Sequence, residues 1–197
     1  MSTINNTKQR ILESAQTLLH EHNYADVGVA EICSAAGVKK GSFYHFFPSK
    51  RDLTLAVLDS TFELIKAEIL SKAFTAKLPP MERLQRFTEL NYQFQHDMYK
   101  NIGVVPGCQF ANLAAEQATQ DEVLRIKIAN VFARIQEAIK DTLQDAISNG
   151  DIGNINTDAT AAAMFAYLEG VILTAKTRND PKVLKQLLPA MLDIRIN

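Results

Sequence analysis

Apolar residues along this chain recur every three or four positions, the spacing that lines one face of a helix. Ile11, Leu12, Ala15, Leu18 and Leu19 follow it between Thr7, a residue type that caps helices, and His22. Asn23 closes the run, since Asn tolerates the left-handed geometry of a helix end. Two short helices are predicted next, over residues 29–36 with Val29, Ile32 and Ala36 inward, and over 40–46. Gly37 separates them, and Pro48 ends the second because it lacks a backbone N–H. Ser49 with Asp52 makes a capping-box pattern and opens a helix to about Phe74. Pro79 and Pro80 start another, to about Lys100, and Gly103, Pro106 and Gly107 mark a loop. A short helix is expected over 108–118 and a long one over 120–148. The long one carries Leu124, Ile128, Val131, Ile135, Ile139, Leu143 and Ala146 in one stripe. After a loop at Asn149, Gly150 and Gly153, a helix fits 157–177. A last one runs from Asp180 as cap and Pro181 as first residue to about Asp193. No segment longer than a few residues alternates apolar and polar residues, so the expected fold is all-α, without a sheet. There is no internal repeat and no low-complexity tract.

Composition adds limits. At 197 residues the chain has room for one large domain or two small ones. No uninterrupted apolar run is long enough to cross a membrane, and residues 1–7 have no apolar core of a signal peptide, so a cytoplasmic protein without a membrane partner is expected. Cys33 and Cys108 lie too far apart to suggest a metal pair or a disulfide framework, and both are expected as thiols. Walker loops, Gly-x-Ser-x-Gly, His-Glu-x-x-His and Cys-x-x-Cys are all absent, and His20, His22, His45 and His96 are scattered. Neither an enzyme nor a metal or cofactor site is expected.

The net charge of −1 argues mildly against nucleic acid, but its distribution matters more. From Lys39 to Arg51 there are four Lys/Arg, one His and no acid, the densest basic stretch in the chain. It coincides with the two short helices. Their turn needs a residue free to take positive φ, which Gly37 supplies. Val29, Ile32, Ala36 and Val38 are small or branched and suit packing against the first helix. This is a helix-turn-helix pattern, whose second helix can lie in a DNA major groove. A helical interaction module is the alternative, and the basic stretch speaks against it.

The run from Ile32 to Lys50, with Ala36-Gly37-Val38, Gly41-Ser42-Phe43-Tyr44, Phe46-Phe47-Pro48 and Ser49-Lys50, resembles the signature of TetR/AcrR regulators. The likeness is strong over residues 7–58 and otherwise one of architecture. It implies a DNA-binding domain of three helices over residues 1–50 and a helical effector-binding and dimerisation domain over 51–197. It also implies roles. Lys39, Lys40, Gly41 and Ser42 would lie near bases and phosphates, Tyr44 and His45 would touch phosphate or a base edge, and Lys50 would meet phosphate. Phe43 and Phe46 would hold the helix in place. Three positions depart from the family pattern: Cys33 stands where alanine is usual, Asn23 where glycine is, and Gly28 where Ser or Thr commonly caps the second helix.

One such unit reads too few base pairs alone, so a homodimer on a palindromic operator is expected, with half-sites roughly 34 Å apart. Ala162, Ala166, Gly170 and Thr174 repeat every four residues. With the stripe from Leu124 to Ala146 they could build a four-helix bundle between subunits, as the family does. Family members hold a small-molecule effector between the middle helices, which makes Tyr92, Phe94, Gln95, Met98, Phe110, Asn112, Glu116, Phe165 and Tyr167 candidate lining residues. Cys108 follows Pro106-Gly107, and the run from Gly107 to Glu116 resembles the Gly-Cys segment of a TetR subgroup that regulates electrophile detoxification. A thiol beginning a helix can have a lowered pKa and react with electrophiles. The resulting expectation is a repressor released when an effector, or modification of Cys108, favours a conformer that does not fit the operator. The fourth helix would be the lever, and activation in place of repression stays open.

Overall fold

The computed structural model describes the backbone of residues 3–197 and the side chains from Asn6 onward, except that of Glu21. Every regular element among the described residues is helical. The order is α1 (Thr3–Glu21), α2 (Val29–Ala35), α3 (Lys40–Phe46) and α4 (Lys50–Ile65), followed by a π-helical turn (Lys66–Leu70) and α5 (Ser71–Ala73). Then come α6 (Pro80–Ile102), α7 (Gln109–Gln117), α8 (Glu122–Ser148), α9 (Thr157–Arg178), α10 (Lys182–Leu187) and a 3₁₀ turn (Leu188–Asp193). Several boundaries differ from the pattern of the sequence. The first helix starts at Thr3 and so encloses Thr7, because no glycine or proline stands between them. Asn23 is not left-handed, since among the described residues Asn179 is the one non-glycine residue with positive φ. Instead the Asn23 carbonyl accepts the Asp26 N–H at 3.1 Å, and its side chain meets Asp26. The last helix ends at Leu187, because Pro189 has no N–H to continue the α-ladder and the chain tightens into a 3₁₀ turn.

The described chain forms two compact units. The first comprises residues up to Glu63 together with Gln109–Ile128, and the second Leu64–Cys108 with Ala129–Asn197. In the first, Ile11, Ala15, Ile32, Cys33, Phe43, Phe47, Leu53 and Val57 make a core in which α1, α2 and α3 pack together. In the second, α9 packs against α10 and the 3₁₀ turn, and α6 against α10.

The turn between α2 and α3 is closed by Gly37 at φ +61°, with the Arg10 guanidinium donating to the carbonyls of Ala36 and Gly37. A Cβ at Gly37 would come within 2.6 Å of Arg10 Nη2, and any L side chain is strained at this φ. Gly37→Ala is therefore expected to destabilise the first unit by about 1–2 kcal/mol, read as a lower urea midpoint at constant slope.

The stripe on α8 from Leu124 to Ala146 is buried within the chain's own core, which corrects its assignment to a subunit interface. The small residues of α9 behave differently: Ala162, Ala166 and Gly170 are exposed, Thr174 is half-buried, and neighbouring Leu173 is 58% exposed. By length and composition α9 would also pass as a membrane span, with a mean hydropathy of 1.2 in its most apolar window, but 44% of that window is buried inside the protein.

Candidate nucleic-acid interface

Helix α3 divides into a face that holds it and a face that is presented. Phe43 is fully buried, with Tyr44 edge-on at 5.2 Å between ring centroids and Phe47 at 6.1 Å. Phe47 is buried and Phe46 half-buried, with His45 edge-on to Phe46 at 4.8 Å. On the other side Lys39, Lys40, Gly41 and His45 are exposed, Ser42 is half-buried, and Tyr44 is 54% exposed. Lys40 and Tyr44 are one helical turn apart, as are Gly41 and His45, so the four share a surface. No acidic residue interrupts it. Gly41 has open space where a Cβ would stand. A partner can approach the backbone there.

Lys39 precedes α3 as its N-cap in extended conformation, and Gly28 caps α2 without any side-chain bond. Ser49 caps α4 as expected: its Oγ accepts the Asp52 N–H at 3.1 Å, while the Asp52 side chain accepts the Ser49 hydroxyl at 2.6 Å. Cys33 lies in the core, where desolvation raises its thiol pKa against a smaller opposing effect of Lys40.

Lys50 is placed less openly than its neighbours. Its ammonium lies 3.9 Å from the centroid of the Tyr24 ring and donates to the Tyr24 carbonyl. Partial burial lowers its pKa, and Glu116 and Asp26 act in the opposite sense. Glu116 completes the group, because its Oε2 accepts the Tyr24 N–H at 2.7 Å. Beside it, Arg51 pairs with Asp121 at 3.5 Å, and Gln109 Oε1 accepts the Thr61 hydroxyl at 2.7 Å. Helix α7 thus carries polar anchors at both its ends. Glu116, an effector candidate by sequence, is a structural acid of the first unit.

The remaining effector candidates are distributed over both units. Phe110 is buried in the first unit and Asn112 half-buried there. Tyr92, Phe94, Gln95, Met98, Cys108, Phe165 and Tyr167 belong to the second. Phe165 packs on Phe132 at 4.9 Å, the Tyr167 hydroxyl donates to the Leu187 carbonyl, and Tyr92 stacks on His96 at 5.3 Å. Gln95 and Cys108 do come together. Gln95 Nε2 donates to the Gly107 carbonyl at 3.1 Å, and the next residue, Cys108, is hydrogen-bonded to the Glu169 carboxyl. Burial drives the Glu169 pKa up to about 7, with the Cys108 bond opposing. Glu169 went unnoticed in the sequence. Its signal is that it is the only acid on α9 after Asp158. Among the described residues no group of three His, Cys, Asp or Glu side chains converges as a metal would need.

A helix-turn-helix with one basic, aromatic face, joined to further helices, defines a DNA-binding regulator. Family comparisons agree and are more specific. Residues 11–57 match the model of bacterial regulatory proteins of the tetR family, and residues 80–191 that of the tetracyclin repressor-like C-terminal domain. The chain is 33% identical over 177 residues to the transcriptional regulator AcuR of Cereibacter sphaeroides, covering 88% of this chain and 78% of that one. It is 25% identical to the transcriptional repressor DhaR of Mycobacterium sp. strain GP1, over 94% of this chain and 90% of that one. A crystal structure of a regulatory protein TetR from Rhodobacter sphaeroides superposes with a TM-score of 0.81 at 29% identity, over 95% and 98% of the two chains. The protein belongs to the TetR family of transcriptional regulators, DNA-binding proteins and not enzymes.

Proposed function

We propose that this protein is a homodimeric repressor that binds a palindromic operator in the cytoplasm and leaves it when a small molecule or an electrophile acts on the second unit. The observation that carries the reading is the presented face of α3: Lys39, Lys40, Gly41, Tyr44 and His45 face outward while Phe43 anchors the helix. Residues 1–50 supply the reading head, braced by residues 109–128 of the same compact unit, and the rest of residues 51–197 the effector and dimer functions. The exposed small residues of α9 support pairing of two copies, since Ala162, Ala166 and Gly170 permit close approach of a second helix and Leu173 adds apolar area.

Release follows from population shift. An effector that binds better to a conformer with mismatched recognition-helix spacing depletes the DNA-binding conformer by that difference in affinity, and no further. Cys108, half-exposed and bonded to Glu169, is where an electrophile would act. The test is selection of genomic fragments by the purified protein, then fluorescence anisotropy on the selected fragment at two salt concentrations. Specific binding that weakens steeply with salt supports the reading. Recovery of random fragments only would instead favour a helical interaction module.

A further inference from the structure

The Gly107–Cys108 step is held by two side chains that each use one end and leave the other unpaired. Gln95 is 4% exposed, and its amide nitrogen faces the Gly107 carbonyl, so its oxygen must point elsewhere; that oxygen is buried and has no donor. Glu169 receives the Cys108 thiol bond, and its Oε2 is likewise buried without a donor. Unpaired buried acceptors cost about 1–3 kcal/mol each, so they mark a place where more than packing is served. Resting on the reading of Cys108 as the point of electrophile attack, we propose that Glu169 is the general base that activates the Cys108 thiol toward α,β-unsaturated carbonyl compounds.

The step balances without an oxidant or a second reagent. The Cys108 sulfur forms a bond to the β-carbon as the thiol proton passes to the Glu169 carboxylate. The carbon–carbon π pair moves onto the carbonyl as an enolate, and the Glu169 acid returns the proton to the α-carbon. A thioether results and the carboxylate is restored. Burial suits the acid to this work. A carboxyl with a pKa of about 7 lies within about two units of an ordinary thiol near 8.5, so proton transfer is not steeply uphill in either direction. The groups acting on Glu169 are burial and the Cys108 thiol. Among the described residues no lysine, arginine or second carboxylate contributes to its shift. On α6 the other titratable group beside Gln95 is His96, stacked on Tyr92 with its Nδ1 buried and unpaired. Cys33, buried in the first unit with a raised pKa, is an internal slow control.

The test is the rate of alkylation by N-ethylmaleimide against pH on the full chain, resolved to Cys108 and Cys33 by peptide mass. In the wild type the Cys108 rate should rise with a midpoint near 7, the value of Glu169. In Glu169→Gln the rate at pH 7.5 should fall at least ~10-fold and the midpoint move to ~8.5. Glu169→Asp should keep a low midpoint at a reduced rate, which loss of packing alone would not do. A wild-type midpoint near ~8.5 would overturn the proposal, even if the Gln variant does not fold. So would a Gln variant alkylated as fast or faster, because the carboxylate would then be restraining the thiol by its charge. DNA binding before and after alkylation, with Cys108→Ser beside it, is read separately. A fast, Glu169-dependent thiol whose alkylation leaves DNA bound would refute the regulatory reading and leave the base assignment standing.

Discussion

Replacing Lys40 and Tyr44 together by alanine is expected to abolish operator binding while leaving the fold intact. Both side chains project from the free face of α3, and the residue that fastens the helix is Phe43, fully buried between them and the core. What the fold loses is the edge contact of Tyr44 with Phe43 at 5.2 Å. What the complex loses is larger. At about 1 kcal/mol or more for each contact, with two copies of each residue on a dimer, the loss is roughly a thousandfold. Removing one phosphate contact per subunit at Lys40 should also flatten the plot of log affinity against log salt by about 2. Anisotropy at several salt concentrations measures both quantities, and an unchanged circular dichroism spectrum separates them from unfolding. Binding retained within a few-fold, with the same salt slope, would remove α3 from the interface.

The second large effect is expected at Glu116→Ala. The carboxylate at the end of α7 accepts the Tyr24 N–H at 2.7 Å and acts on the Lys50 ammonium that lies over the same tyrosine ring. Alanine leaves a part-buried N–H without its acceptor, at a cost of about 1–3 kcal/mol to the first unit. Glu116→Gln still presents an oxygen to Tyr24 and gives up only the charge facing Lys50, so it should cost much less. If the two variants have the same urea midpoint, the bond contributes nothing. DNA affinity should weaken in the alanine variant even where the protein remains folded, because the Lys50 end of α4 is built on the Tyr24 loop.

Both predictions show what could be read from residue order and what could not. The helix-turn-helix was legible because each of its determinants is local. Gly37 sits where the turn demands positive φ, Ser49 and Asp52 are three residues apart, and Phe43 falls on the inward face of its own helix. Gly28 was correctly read as a cap that offers no side-chain bond. The Tyr24–Lys50–Glu116 group was invisible for the opposite reason: Glu116 lies 92 positions from its partner, and no periodicity relates them. Stripes were ambiguous in a third way. The apolar face of α8 and the small-residue face of α9 both repeat at helical spacing, yet the first is spent on the chain's own core and the second stays exposed. Glu169 was missed because charged residues on helices are usually solvated, and only packing shows that this one is enclosed beside Cys108.

The reading unit is discontinuous, made of residues up to Glu63 and of Gln109–Ile128. Anyone transplanting this DNA specificity onto another regulator inherits that fact. A graft cut after the fourth helix would carry Tyr24 and Lys50 away from the carboxylate that organises them, and Thr61 and Arg51 away from Gln109 and Asp121. A working chimera has to take two pieces of chain, and a natural shuffling event confined to one piece would yield a head that folds poorly. Recombination at the obvious boundary is therefore discouraged by the architecture itself, which ties the operator read by this protein to the segment that begins one residue after Cys108.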